Sequence, residues 1–425
     1  MNTILSFIYT LFIILLIYRY SKKKAIFGYS RAEYNINSSW IKLLFFTLAY
    51  IIPIGDYSIA MSLIYGILFI PEIQRSGGIS INKTKIILYV YFFSWCCFSI
   101  LWSSMSYYSF MMLIKLAIPF IFFSYASKAF TNRKNIIVFS EIVAKSAIWY
   151  FVLNILARLC GDLIPLCNPY YGIYCFIFAI FLYLIKKDKK YLVYMILCFS
   201  YNIYYVKKTP LLAIFLALLL LYIYKYKIKS LLPVGILTIV FIAIVLFVPQ
   251  VRDRMFFEGF DISQITYMDA EDILSVLNTS GRSSMWEIVI DKFYKGNEWF
   301  GVGIGTMKFW LRTSSETSEA FLLLHNDWLH ILCETGRIGI YLLILFFVSL
   351  IVKCYKDYQK HQKKSEKAVA YSFAASCIMA IVHMLFENCI GFYSYNMPFI
   401  FAGMFYMYMK SQSMVLCETK KIIEI

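Results

Sequence analysis

Apolar runs broken by short basic turns recur along this chain. A helix needs about 20 apolar residues to cross a bilayer, with a range of roughly 17 to 25. That test places spans near 3–19, 40–54, 57–70, 86–102, 109–127, 136–157, 170–185, 190–206, 210–224 and 231–248, and, after a long polar gap, near 338–353, 368–385 and 397–410. The pattern predicts an all-α polytopic membrane protein with about thirteen transmembrane helices (12 to 14), forming one transmembrane domain over 1–425. The polar gap, 249–337, reads as a single large insertion, too long and too patterned for a plain connector.

Within the insertion, a short amphipathic helix is expected near Asp269 to Leu277, ended by Thr279-Ser280-Gly281. A second is expected from Ser283 or Ser284, where Ser284-x-x-Glu287 has the form of a capping box. Trp286, Val289, Ile290 and Phe293 recur at helical spacing, a face that could lie on the membrane surface or against the spans. Gly301-x-Gly303-x-Gly305 lacks the Lys and Ser/Thr of a phosphate-binding P-loop and reads as a flexible turn.

Composition strengthens the membrane reading. The chain is 61% hydrophobic and 15% charged, against about 25% charged in a soluble protein. Residues 1–20 read as a retained span, because no small-residue cleavage site follows and Lys22, Lys23 and Lys24 come after the run. The eleven cysteines form no C-x-x-C pair and mostly lie in apolar runs, which suits packing better than zinc or disulfides.

The net charge of +17 would suit nucleic acid, but its distribution argues otherwise. Assigning the loops at 19–42, 70–85, 128–134, 186–190, 225–229, 353–367 and 410–421 to the cytoplasm places 28 of the 41 basic residues there. Segment 250–320 then lies outside with a net charge of −4. An odd number of spans puts the N-terminus outside and the C-terminus inside.

Chemistry-bearing residues concentrate around that insertion. His325-Asn326, nine residues, then Gly336-x-x-Gly339 is the most distinctive spacing. Asn326 or Asp327 can cap a short helix, and Gly336 can end it before a new span at Ile338. This would hold His325 just above the bilayer, where imidazole can take a proton from a sugar hydroxyl. A capping or interfacial histidine is the plainer alternative. His330, five residues on, is expected on a different face, as scaffold. No carboxylate or histidine repeats at the spacing of a zinc helix, so no metal is expected.

Arg282, at a helix start, suits a pyrophosphate cradle. Lys207, Lys208 and Arg337 are further cations on the outer side. Charges inside spans are costly and point to function by default. Lys115 can face an anionic headgroup, Glu387 and Asn388 can line the same cavity, and Glu141 and Lys145, four apart, can neutralise each other.

On His325-Asn326, Gly336-x-x-Gly339, Glu334, Gly281-Arg282…Trp286, Gly301-x-Gly303 and Leu101-Trp102-Ser103, the chain resembles the O-antigen ligase and O-antigen polymerase superfamily. The shared motif region covers roughly 279–345, and the many-span layout covers the whole chain. The resemblance implies a membrane-embedded glycosyltransferase of the C type in the bacterial inner membrane, its site facing the periplasm. Its donor is a glycan on undecaprenyl pyrophosphate, and no cofactor or divalent metal is needed. Arg282 and His325 take the family's catalytic positions, with Lys208, Arg337 and Lys207 for the pyrophosphate and Asn326, Glu334 and Lys115 in support. Many members carry Ser-Arg where this chain has Lys208-Thr209, which keeps a cation but loses the bidentate fork. The polymerase branch is favoured on Leu-His-Asn-Asp-Trp-Leu…Glu-Thr-Gly, with membrane lipid and a chain-length regulator as partners and no nucleic acid. A ligase onto lipid A-core is the alternative. A flippase would show broken helices or repeated halves, with charged residues at the membrane midplane.

Overall fold

The computed structural model describes residues 43–44, 47–48, 86–130, 133–159, 167–204, 208–226, 231–249, 282–313, 323–391 and 394–408. Among these there are helices and no strands. The expected spans at 3–19 and 57–70, nearly all of that at 40–54, the helix near 269–277 and Lys207 lie outside the described residues.

The helices are α1 (Ile87–Phe98, extended by a tight turn over Ser99–Trp102), α2 (Tyr107–Ala129), α3 (Arg133–Leu159), α4 (Pro169–Lys186), α5 (Lys190–Tyr204), α6 (Lys208–Tyr226) and α7 (Leu231–Phe247). In the insertion lie α8 (Arg282–Val289, continued by a wider turn over Ile290–Tyr294) and α9 (Thr306–Thr313). Then come α10 (Asp327–Lys360), α11 (Lys364–Phe386) and α12 (394–408). Five of these, α2, α3, α6, α10 and α11, are long and apolar enough to cross a membrane, among the described residues. The chain is a multi-pass, all-α membrane protein.

α11 is the axis of the bundle, packed by α10, α4 and α6. Its most apolar window is 78% buried, against 39% for α10. On α10 the exposed face carries Tyr341, Ile344, Leu345, Val348 and Val352, a helical stripe with no charged residue. An apolar face turned outward fits a hydrocarbon surround. Buried polar groups are answered inside the bundle: Tyr89 Oη donates to Leu116 O at 2.9 Å and lies 3.0 Å from Tyr395 Oη, and Trp328 Nε1 donates to Ile381 O at 3.0 Å, tying α10 to α11.

Glu141 pairs with Lys186 at the end of α4 and accepts from Tyr191 Oη of α5 at 2.9 Å. The carboxylate thus serves contact between helices. Ser284 lies within α8, which already includes Arg282, so it is not a cap. The apolar face of α8 is turned inward: Met285, Val289 and Phe293 are buried with Met307 and Leu311 of α9 and Leu329 and Cys333 of α10. The insertion helices are packed on the spans.

The glycine turn is no flexible linker. Gly301, Gly303 and Gly305 have φ of 70°, 89° and 77°, values that side chains disfavour. A Cβ on Gly301 would lie 2.5 Å from Glu334 C, and one on Gly303 2.5 Å from Ser103 Cα. Val302 N and Gly303 N donate to Cys333 O and Glu334 O at 3.0 and 2.9 Å, and Arg337 N donates to Glu298 O at 2.8 Å. Trp102 Nε1 donates to Gly301 O at 3.1 Å and Trp95 Nε1 to Thr335 O at 2.9 Å. The insertion is thereby sewn, backbone to backbone, onto the kink of α10 at Gly336 (φ 67°, ψ −170°). A Cβ on Gly336 would collide with Trp299 O. Gly336→Ala should therefore cost about 1–3 kcal/mol from the backbone conformation alone, with the clash added, read as a lower unfolding midpoint in detergent micelles.

Candidate functional site

The site forms where the insertion meets the ends of α4, α6, α10 and α11. His325 precedes α10 with φ +52°. Asn326 caps the helix, its Oδ1 accepting from Leu329 N at 3.0 Å, a role the sequence left open between Asn326 and Asp327. Asp327 is buried, and its Oδ2 accepts from Cys389 N at 2.5 Å and Ile390 N at 2.8 Å. It pins the segment after α11 against the start of α10.

That segment brings Glu387 to His325. His325 Nδ1 lies 2.8 Å from Glu387 Oε2, and Arg282 Nη2 lies 3.7 Å from Glu387 Oε1. Arg282 Nη1 also donates to Phe386 O, at the carboxyl end of α11, at 2.7 Å, where a cation complements the helix dipole. Burial opposes ionisation of Glu387, but the His325 hydrogen bond and the Arg282 charge outweigh it and hold the carboxyl below the usual carboxylate range. The carboxylate is an acceptor, so it selects the imidazole tautomer with its proton on Nδ1 and leaves Nε2 as the basic nitrogen. Glu387 also meets the Tyr170 hydroxyl, which contacts Thr209 as well. The Tyr170 ring stacks on His383 of α11, centroids 3.6 Å apart and planes at 21°. Lys208, at the start of α6, thus sits one residue from this network.

A cavity of about 240 Å³ opens beside His325, lined also by Lys115, Lys308, Arg312, His330, Glu387 and Asn388. Glu387, Asn388 and Lys115 share the cavity as the sequence suggested. His330 shares it too, against expectation. The helix starts at Asp327 and His325 has φ +52°, so helical spacing does not relate the two histidines. His330 Nε2 lies 3.0 Å from Glu334 Oε1, off the line of a good hydrogen bond. Glu334, fully buried, accepts from Gly305 N at 2.7 Å and Lys308 N at 3.4 Å, at the amino end of α9. Arg337 is elsewhere: its Nε donates to Tyr294 Oη at 2.9 Å and its guanidinium lies 5.4 Å from the Trp299 ring centroid. It does not line the cavity.

Lys308, Arg312, Tyr170 and His383 were not singled out from sequence. Two cations four apart on a loop helix look like a solvated face, and an aromatic next to a proline at a span start looks like an interfacial anchor.

The arrangement offers a carboxylate-held imidazole next to a cation-lined recess. Such a site can take a proton from a hydroxyl and stabilise an anionic leaving group. No curated protein matches the chain. The profile of the O-antigen ligase family matches residues 173–344, from α4 through the insertion to the first half of α10. Through that stretch the chain is similar to the O-antigen ligase family.

Proposed function

We propose that this protein is a surface-polysaccharide polymerase of the O-antigen type. It transfers a glycan from undecaprenyl pyrophosphate to the non-reducing end of another lipid-linked repeat unit, at the periplasmic face of the inner membrane. The observation that carries this reading is the His325–Glu387 contact at 2.8 Å beside a cavity with cationic walls. His325 Nε2 accepts the proton of the attacking hydroxyl while Glu387 steadies the imidazolium that forms. The oxygen attacks the anomeric carbon from the face opposite the pyrophosphate, so the configuration inverts. Arg282 uses only part of its five-donor fork on Phe386 and Glu387. Its remaining donors, with Lys208, face the departing phosphate charge. The resemblance calls for neither cofactor nor metal here, since lysine and arginine carry the charge compensation.

The family description favours one other reading, a ligase that moves the finished polymer to lipid A-core. Deletion of the gene separates the two. A polymerase loss leaves lipopolysaccharide capped by a single repeat unit, the outcome expected here. Bare core with accumulated lipid-linked polymer would replace the polymerase reading by the ligase one.

A further inference from the structure

Lys308 and Arg312 sit one turn apart on α9, so their side chains leave the same face of the helix. Both line the cavity beside His325, and Lys115 of α2 lines it with them. Exposure rises from Lys115, 5% exposed with its stem packed over Gly391, through half-buried Lys308 to exposed Arg312. The orientation of α9 is fixed from two sides. Met307 and Leu311 are buried in the cluster with α8 and α10, and Glu334 receives the amides of Gly305 and Lys308 at the helix start. The two carboxylates on the cavity wall have other duties: Asp327 holds the amides of Cys389 and Ile390, and Glu387 holds His325 and Arg282. The volume, about 240 Å³, falls below the roughly 300–1,000 Å³ of sites for drug-sized ligands. It suits a compact charged group and not an oligosaccharide.

We infer that Lys115, Lys308 and Arg312 form the seat of the diphosphate of the lipid-linked donor, with α9 supplying the pair that grips it. This rests on the transferase reading and moves the main diphosphate contact to α9, leaving Arg282 and Lys208 beside it. As the acceptor oxygen bonds to the anomeric carbon, its proton passes to His325. The electron pair of the breaking bond between the anomeric carbon and the phosphate oxygen stays on the diphosphate. The group that leaves is a polyprenyl diphosphate with one more negative charge, next to two more-exposed cations and one buried one. Arg312 offers a planar fork for two phosphate oxygens, and the lysines offer point charges.

The test is binding, measured on the full chain in lipid nanodiscs titrated with undecaprenyl diphosphate and, separately, undecaprenyl monophosphate. Wild type should prefer the diphosphate. Arg312→Gln, at an exposed position that leaves packing intact, and Lys308→Ala should each weaken diphosphate binding about tenfold, and together about a hundredfold. Monophosphate binding should change less, and Arg312→Lys should recover part of the loss. Inorganic pyrophosphate should compete in wild type and lose that ability in the double variant. Diphosphate binding in the double variant equal to wild type overturns the inference, as does equal affinity of wild type for the two lipids. His325→Ala separates this inference from the function it rests on. If that variant still transfers glycan while the α9 variants lose binding, the proposed chemistry fails and the diphosphate seat stands.

Discussion

His325→Ala should lower glycan transfer by about 10²–10⁴-fold, the usual contribution of a positioned general base. The assay is polymer formation in isolated membranes with lipid-linked repeat units supplied, on protein verified as folded by its elution profile and unfolding midpoint. The effect should fall on kcat, because imidazole contributes when the hydroxyl proton moves and contributes little to holding the donor. Backbone strain complicates a lone alanine: residue 325 has φ +52°, which costs most side chains energy. Asparagine tolerates that region better, so His325→Asn separates the loss of imidazole from a change in backbone. Both variants should be equally inactive. Transfer by folded His325→Asn at the wild-type rate would remove His325 from the chemistry.

Glu387→Gln should cost on the order of 10²-fold, again in kcat, since the amide keeps the shape of the contact and loses the charge that steadies the imidazolium. A pH profile distinguishes this positioning role from a packing one. With its counter-charge gone, the acid limb of kcat should move to lower pH, and Glu387→Asp should return part of the rate. An unshifted limb would reduce Glu387 to a structural contact. The stability of the cluster has a defined sign. The folded carboxyl titrates below its ordinary value, about 4.3 for an unperturbed Glu. Its contribution is therefore complete above that value and lost as pH falls through the depressed one. Wild type should lose stability on that acid side, and Glu387→Gln should lack that part of the loss.

Spans were the easiest elements to read, because a bilayer asks for one length and one kind of residue. α2, α3, α6 and α11 lie over their expected stretches within a few residues. The break at Gly336 was legible for a similar reason, since a left-handed residue between capped helices has a local signature. Long-range pairing was not legible. Glu141 had Lys145 one turn away, and nothing nearby showed that Lys186 would cross over from α4. Lys308 and Arg312 gained their meaning from Glu334, 26 positions beyond Lys308, which fixes the start of their helix. His330 lines the cavity with His325 because the helix begins only at Asp327, so helical spacing does not relate the two. The partnership of Glu387 with the histidine cavity was anticipated only from its place at the outer end of a span.

The seam of Gly301, Gly303, Gly305 and Gly336 has a bearing on how variants of this protein are read. At those positions even alanine is costly, since a Cβ alone meets backbone atoms within about 2.6 Å. Replacing Lys308 or Arg312 removes one charge and leaves the chain folded. A library ranked by lost function would therefore place the glycines first, although none of them lines the cavity. In this stretch, intolerance to substitution measures how closely two backbones approach. Residues that handle substrate are better recognised by a graded response, in which conservative replacements recover part of the activity.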